Sequence, residues 1–490
     1  MTFHKQLASQ TAIYGLSSII GRFLNYLLVP LYTGIFNPAD YGVSSWFYSV
    51  AAFGAVIFTY GMETTFFRFC QKSETPAKVF STAFLSVLFT SIVLVVLISI
   101  FSKHLAIVSE NQGRQQYFVI FAFILAADAL TALPFAWLRL QNKAYKFAGI
   151  RLFNIAVNIG LNLFFYLLCP YLSHRGFTII DAFYSAENGI LYMFVANLIS
   201  SLVILPLFWK EFQLVTNGFD KTLWRQMLHY AWPLLFMGLA GMINETLDRI
   251  LLKHLLPDKT TAEYQLGIYA ANYKLSILMT LFIQAFRFAA EPFFFSKSKE
   301  ENARQIYASV MNYFVAVCGL IFLFVMGYID LFKYFIRTEQ YWAGLDVVPV
   351  LLMANLFLGV YYNLSVWYKL ADKTRYGAAI SIGGAIVTIV LNIMLIPMFG
   401  YYGAAWATLL CYFSIAAASY LTGQYHYPIP YRMGRILFYL LLTVVFYLLI
   451  LFSKNHLVQL PLRLMINSFI ILTFPIIVFI IEKPNLKLSA

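Results

Sequence analysis

Apolar residues in this chain come in long uninterrupted runs rather than in strand-length alternation. The runs at 79–101, 118–138, 306–328 and 462–481 each hold about 20 residues or more, enough to cross a hydrocarbon core as helix. A membrane barrel would instead alternate over segments of about ten residues. The pattern therefore predicts an all-α polytopic membrane protein of about fourteen spans. Their approximate bounds are 8–36, 41–62, 79–101, 116–138, 147–169, 189–208, 226–253, 267–293, 305–328, 346–368, 377–398, 403–422, 435–453 and 462–481. The first run is too long for the apolar core of a cleaved leader, so it reads as a retained span.

Polar residues between the runs set the orientation. With the N-terminus inside, roughly 21 Lys and Arg fall on cytoplasmic segments and about 9 outside, so both termini are expected in the cytoplasm. No connection exceeds roughly 20 residues, which leaves no room for a soluble domain. The most polar one, WKEFQLVTNGFDKTLWR at 209–225, predicts a boundary between two lobes.

An internal repeat supports that boundary. WLRLQNKAYKFA around spans 4 and 5 matches WYKLADKTRYGA around spans 10 and 11. The match pairs Trp137 with Trp367, Arg139 with Lys369, Lys143 with Lys373 and Asn162 with Asn392. A weaker match pairs Gly42, Tyr48, Lys72 and Ser73 with Gly267, Tyr273, Lys297 and Ser298. Six spans separate the copies, and an even number preserves direction, so the halves are parallel repeats. The expected organisation is a six-helix lobe at 1–212, a second at 213–428, and two additional helices at 429–490. Paired parallel lobes are a transporter plan, with a cavity at the lobe interface and alternating access.

Composition changes the picture only modestly. Hydrophobic residues make up 61% of the chain and charged residues 11%, which a soluble surface could not tolerate. The net charge of +13 is spread over short loops and does not point to nucleic acid. Cys70, Cys169, Cys318 and Cys411 are scattered and read as free, packing thiols. Histidines and cysteines lack metal-ligand spacing, no phosphate loop or hydrolase elbow is present, and no enzyme chemistry or ATP use is expected.

Charges inside the spans are where chemistry should be sought, because each one costs free energy unless it has a partner or water. Arg22 lies near the middle of span 1 and Asp128 is comparably deep in span 4. Span 7 carries Asn244, Glu245, Asp248 and Arg249; span 8 carries Lys274, Gln284, Arg287 and Glu291. Glu245 and Arg249 are four residues apart and share a face with Gly238 and Gly241, while Arg287 and Glu291 repeat that spacing. Two readings follow. The charges line one interior space with a cationic surplus, suited to an anionic substrate whose phosphates Arg would grip bidentately. Alternatively they neutralise one another as Glu245–Arg249, Arg287–Glu291 and Arg22–Asp128 pairs. The acids, Asp128, Glu245, Asp248 and Glu291, either balance the bases or carry a coupling H+ or Na+.

The stretches QTAIYGLSSIIGRFLNYLLVPLYTGIFNPADYG, YGMETTFFRF, MINETLDRILLKHLLP and GIYAANYKLSILMTLFIQAFRFAAEPFFF resemble the oligosaccharide and polysaccharide flippases of the multidrug/oligosaccharidyl-lipid/polysaccharide exporter superfamily. The resemblance implies a MATE-like fold in a bacterial inner membrane and a positively charged cavity between lobes. The implied substrate is an undecaprenyl-diphosphate oligosaccharide, an O-antigen, capsule or exopolysaccharide repeat unit, flipped outward on an ion gradient. Membrane lipids are implied partners, as are a polysaccharide polymerase and glycosyltransferases. It also implies substrate contact by arginines of spans 1, 7 and 8, here Arg22, Arg249 and Arg287. Competing readings are a drug/cation antiporter of the same fold, whose cavity should be acid-rich, and a membrane polymerase or glycosyltransferase, which would need a longer outer loop than 170–188.

Overall fold

Loops of one to about fifteen residues leave the apolar runs no choice but to stand side by side as helices, each satisfying its own backbone polar groups. The computed structural model describes residues 15, 17, 19–298 and 300–486, and among these there is no strand. The N-terminal part of span 1 and both chain ends lie outside the described residues.

Twelve helical segments among the described residues are long and apolar enough to cross a membrane. They are Pro38–Cys70, Pro76–Val108, Gln115–Leu140, Ala144–His174, Gly189–Asn217, Thr261–Lys297, Ala303–Gly327, Glu339–Leu370, Thr374–Phe399, Tyr401–His426, Met433–His456 and Leu460–Glu482. These correspond to spans 2 to 6 and 8 to 14. A shorter apolar helix, Ile19–Ile35, falls in span 1. Span 7 is the 35-residue helix Lys221–Leu255, whose length is ample and whose charged residues lower its hydropathy. Among the described residues, this helical fold of twelve spanning segments, the shorter helix of span 1 and the long helix of span 7 is as the hydrophobic pattern predicts.

The helices group into two compact units, one of Met1–Leu28 and Asp40–Ile250, the other of Val29–Ala39 and Leu251–Ala490. In the first, Phe58, Met62, Phe66, Phe80, Phe84, Leu133 and Ala136 form a buried cluster where spans 2, 3 and 4 meet. The rings of Phe47, Phe121 and Phe194 pack together at its other end, Phe47 stacked on Phe121 and Phe121 edge to face with Phe194. In the second unit, span 12 packs along spans 10 and 11 through Ala354, Ile380, Cys411, Tyr412 and Ala416. Val29–Ala39 is held there by Tyr341 Oη donating to the Phe36 carbonyl at 2.9 Å and Thr338 Oγ1 to the Thr33 carbonyl at 2.5 Å.

Spans 13 and 14 attach to span 9 through close approach and polar anchors. A Cβ on Gly319 would lie 2.4 Å from Thr443, and one on Gly327 2.6 Å from Ile471. Arg463 pairs with Asp330, just after span 9, at 2.7 Å, while Arg435 and the buried Glu482 tie spans 13 and 14 to each other at 2.9 Å. All four cysteines are buried free thiols.

The sequence repeat has a three-dimensional counterpart inside each unit. After span 4, Asn142 adopts φ 56° and Lys143 N–H returns to the Leu138 carbonyl at 2.9 Å. After span 10, Asp372 adopts φ 55° and Lys373 N–H returns to the Tyr368 carbonyl at 2.8 Å. Asn and Asp are the residues that tolerate this left-handed turn best after glycine. One full repeat length apart, Asn162 and Asn392 are both fully buried and both donate to the carbonyl four residues back at 2.8 Å.

Candidate functional site

Polar side chains of the first unit gather on the surfaces that spans 1, 2, 4, 5 and 6 turn toward one another. Span 2 breaks at Tyr60 and Gly61, with φ 34° and 74°, before resuming as Met62–Cys70. The break orients Glu63 toward span 4, where its Oε1 accepts from Arg139 Nη2. Arg139 also lies over the Phe67 ring at 4.9 Å.

Asp128, midway along span 4, is exposed although it is deep in the helix, and its Oδ1 accepts from Ser201 Oγ of span 6 at 2.8 Å. One turn before Ser201, Asn197 Nδ2 donates to Tyr48 Oη at 3.3 Å. Arg22 is likewise exposed at membrane depth in span 1, and among the described residues it has no hydrogen-bond or ion-pair partner. The Arg22–Asp128 pair considered above is therefore not the arrangement found. Gly21 lets span 1 lie close to span 5, since a Cβ there would sit 2.6 Å from Ile155.

Span 5 supplies a base that the sequence reading passed over. Arg151 is exposed, with its guanidinium 5.2 Å from the Phe135 ring centre and 5.7 Å from that of Phe147. It interacts electrostatically with Glu63, Arg139, Asp128 and Arg22, so five charged groups, three of them bases, form one neighbourhood. Arg139 was visible only as a repeat position, and Glu63 only as part of YGMETTFFRF. Arg151 carried a usable signal: with Asn154, Asn158 and Asn162 it forms a polar stripe at helical spacing.

Span 7 contributes four of the predicted residues. Asp248 is buried and accepts from the backbone N–H of Arg249 at 2.8 Å. Arg249 and Asn244 are half-buried, and Arg249 interacts electrostatically with Tyr41. Glu245 is exposed, and among the described residues it has no ion pair, so no Glu245–Arg249 bridge neutralises this helix. Of the two glycines on that face, Gly238 makes the close approach, 2.8 Å from Val56 for a notional Cβ. Gly241 has nothing within 4 Å.

In the second unit, Lys274 is exposed at a tight 3-10 turn, Lys274–Ser276, that interrupts span 8. Gln284 is half-buried and Arg287 is exposed, lying 3.9 Å over the Tyr362 ring of span 10. Glu291 is not paired with Arg287; it accepts from Lys369 Nζ at 2.7 Å. The result mirrors the first unit, where Glu63 is paired with Arg139. In each unit an acid at the end of the second helix is tied to a base at the end of the fourth. A buried Lys253–Glu263 pair at 2.9 Å is a further element that the sequence reading missed. No group of three or more His, Cys, Asp or Glu able to hold a metal ion occurs among the described residues.

The chain is thus a multi-pass helical membrane protein of two compact units, and its fold is shared with solved membrane proteins. The structure resembles "Lipid II flippase MurJ, inward closed conformation" with a TM-score of 0.72 and 14% identity, covering 98% of this chain and 100% of that one. It also resembles an inward-facing multidrug resistance MATE family transporter of the MOP superfamily, with a TM-score of 0.59 and 14% identity, covering 85% of this chain and 94% of that one. Curated protein sequences yield no match. Residues 7–297 match the family described as polysaccharide biosynthesis protein, and the chain belongs to that family.

Proposed function

We propose that this protein flips an undecaprenyl-diphosphate-linked oligosaccharide, a repeat unit of O-antigen, capsule or exopolysaccharide, across a bacterial inner membrane by alternating access. The observation that carries the reading is the pair of exposed bases Arg22 and Arg151 in the first unit, whose field Arg139, Asp128 and Glu63 share. Arg22 and Arg151 lack protein ion-pair partners among the described residues. A guanidinium at membrane depth without a carboxylate partner is costly unless water or an anion satisfies its donors, and a diphosphate matches its fork. Family membership supports the polysaccharide side of the reading, and the shared fold with a lipid II flippase supports lipid-linked cargo.

The drug/cation antiporter reading draws on the MATE likeness, but cationic cargo would face this basic surplus. Arg249 and Asn244 are further candidate substrate contacts in the first unit, and Lys274, Arg287 and Gln284 are candidates in the second. Asp128, Glu245, Asp248 and Glu291 balance charge or exchange a coupling H+ or Na+, and both termini face the cytoplasm. The polymerase and glycosyltransferases of the same polysaccharide pathway are its functional partners.

Reconstitution in liposomes with a fluorescent lipid-linked oligosaccharide tests the proposal. Arg22→Ala, Arg249→Ala and Arg287→Ala are each expected to slow flipping by about tenfold or more, the scale of one lost charge-assisted hydrogen bond. Wild-type rates in all three variants would refute a cationic substrate site.

A further inference from the structure

Span 5 carries Arg151, Asn154, Asn158 and Asn162 along one side, and their hydrogen bonds divide them by role. Asn154 Nδ2 is committed to the Ser200 carbonyl at 2.8 Å. Asn162 is fully buried and committed to the Asn158 carbonyl at 2.8 Å. Arg151 has no hydrogen bond or ion pair among the described residues; its guanidinium lies 5.2 and 5.7 Å from the ring centres of Phe135 and Phe147, which pack edge to face on each other. A cation–π contact uses none of the N–H donors of a guanidinium, and those donors grip phosphate.

Asn158 is half-buried; its Nδ2 makes one long bond to Asn25 Oδ1, at 3.4 Å, and one lone pair of its Oδ1 accepts from Asn162 Nδ2 at 3.2 Å, which leaves a second N–H and a second lone pair. Asn25 is exposed, and among the described residues its own Nδ2 has no acceptor. Arg151 and Asn158 are seven residues apart, which puts them about 10 Å apart along the helix and within about 20° of the same face. Their spacing suits a phosphate group followed by the first sugar attached to it.

Building on the lipid-linked oligosaccharide reading, we infer that this stripe is a two-part subsite. Arg151 binds the diphosphate, and Asn158 with Asn25 binds hydroxyl groups of the sugar next to it. Open amide donors and acceptors recognise sugar hydroxyls, as an apolar surface cannot. The two aromatic contacts restrict the guanidinium, so part of the cost of ordering that side chain is met before substrate arrives. Asp128 and Glu63 share the field of Arg151 without pairing to it and leave its donors to the phosphate.

The test is equilibrium binding to the purified full-length protein of two probes, undecaprenyl diphosphate and its conjugate with a single N-acetylglucosamine. Wild type is expected to bind both, the conjugate more tightly by about three- to tenfold, the scale of one or two neutral hydrogen bonds. Arg151→Ala should weaken both probes by about tenfold or more, with Arg151→Lys intermediate because it keeps charge without the fork. Asn158→Ala should bring the conjugate down to the affinity of the bare diphosphate and leave the latter unchanged. If Arg151→Ala does not elute as a monodisperse species, Arg151→Gln takes its place. Wild-type affinity in the Arg151 variants overturns the phosphate assignment, and equal loss of both probes in Asn158→Ala overturns the sugar assignment. Absence of any binding by wild type would instead refute the lipid-linked substrate itself.

Discussion

Gly61 shows how a single residue positions a charge. Its φ of 74° is left-handed, and a Cβ at this site would lie 2.7 Å from Leu234 Cβ. Both the conformation and the space therefore require glycine. Gly61→Ala should destabilise the protein by about 1–3 kcal/mol and move Glu63 off Arg139. Chemical denaturation in detergent, followed by tryptophan fluorescence, would read the first effect; unchanged stability would contradict the strained-turn account. The Glu63–Arg139 pair is itself a third to two-fifths exposed, so its coupling should be small. A double-mutant cycle with Glu63→Gln and Arg139→Gln is expected to give about 0.2–1 kcal/mol. Its value lies in fixing where the charges point.

These residue-level pairings were only partly legible in the sequence. Trp137 and Trp367 announced that two segments fold alike, because bulky aromatics in matched contexts are rare enough to align. The partners of the charges could not be read in the same way. Arg287 and Glu291 are close along one helix, yet Lys369 and Tyr362 from span 10 are better placed to meet them. Spacing within a helix ranks only local partners, whereas packing brings in competitors from elsewhere in the chain. Arg151 was missed for a related reason. It lies about 10 Å into span 5, where a base reads as a loop-flanking charge unless the asparagines that follow it are counted.

At the scale of elements, the start of span 7 depends on one carboxylate. Asp220 Oδ1 accepts from the backbone N–H groups of Leu223 at 3.0 Å and Thr222 at 2.9 Å, capping the helix, with Lys78 Nζ 3.4 Å from its other oxygen. The Leu223 N–H, and next to it Lys78, hold this carboxyl below its usual range. A depressed folded pKa means that the stabilisation is present above the ordinary carboxylate pKa. It is lost as pH falls through the lower, folded value. Amide exchange at Thr222–Trp224 should therefore accelerate on acidification below about pH 4 in wild type. Asp220→Asn keeps an acceptor oxygen and should show little of that pH dependence. Identical pH profiles for the two proteins would show that the cap is not electrostatic.

Span 3 illustrates an element whose outward face was legible throughout. Phe89, Ile92, Val93, Val96, Leu97, Ile100 and Phe101 are all exposed and recur at helical spacing. In water such a stripe would drive aggregation; against lipid tails it is the ordinary surface of a spanning helix.

Across the whole molecule, orientation follows from where Lys and Arg lie, because loops rich in these residues stay cytoplasmic. By that rule the loops at 71–75, 141–143 and 209–220 are expected inside and those at 109–114 and 457–459 outside. The four native cysteines are buried, so introduced cysteines can report accessibility against a low background. Gln112→Cys and Asn455→Cys should react with a membrane-impermeant maleimide in intact cells, whereas Thr216→Cys should react only after the membrane is opened. The opposite labelling pattern would invert the molecule. Arg139 and Arg151 would then lie toward the outer face, and a substrate entering from the cytoplasm would meet Asp128 before them. Orientation and the cationic-site proposal thus stand on the same experiment: only with the N-terminus inside do the bases of spans 4 and 5 face the leaflet in which lipid-linked sugars are assembled.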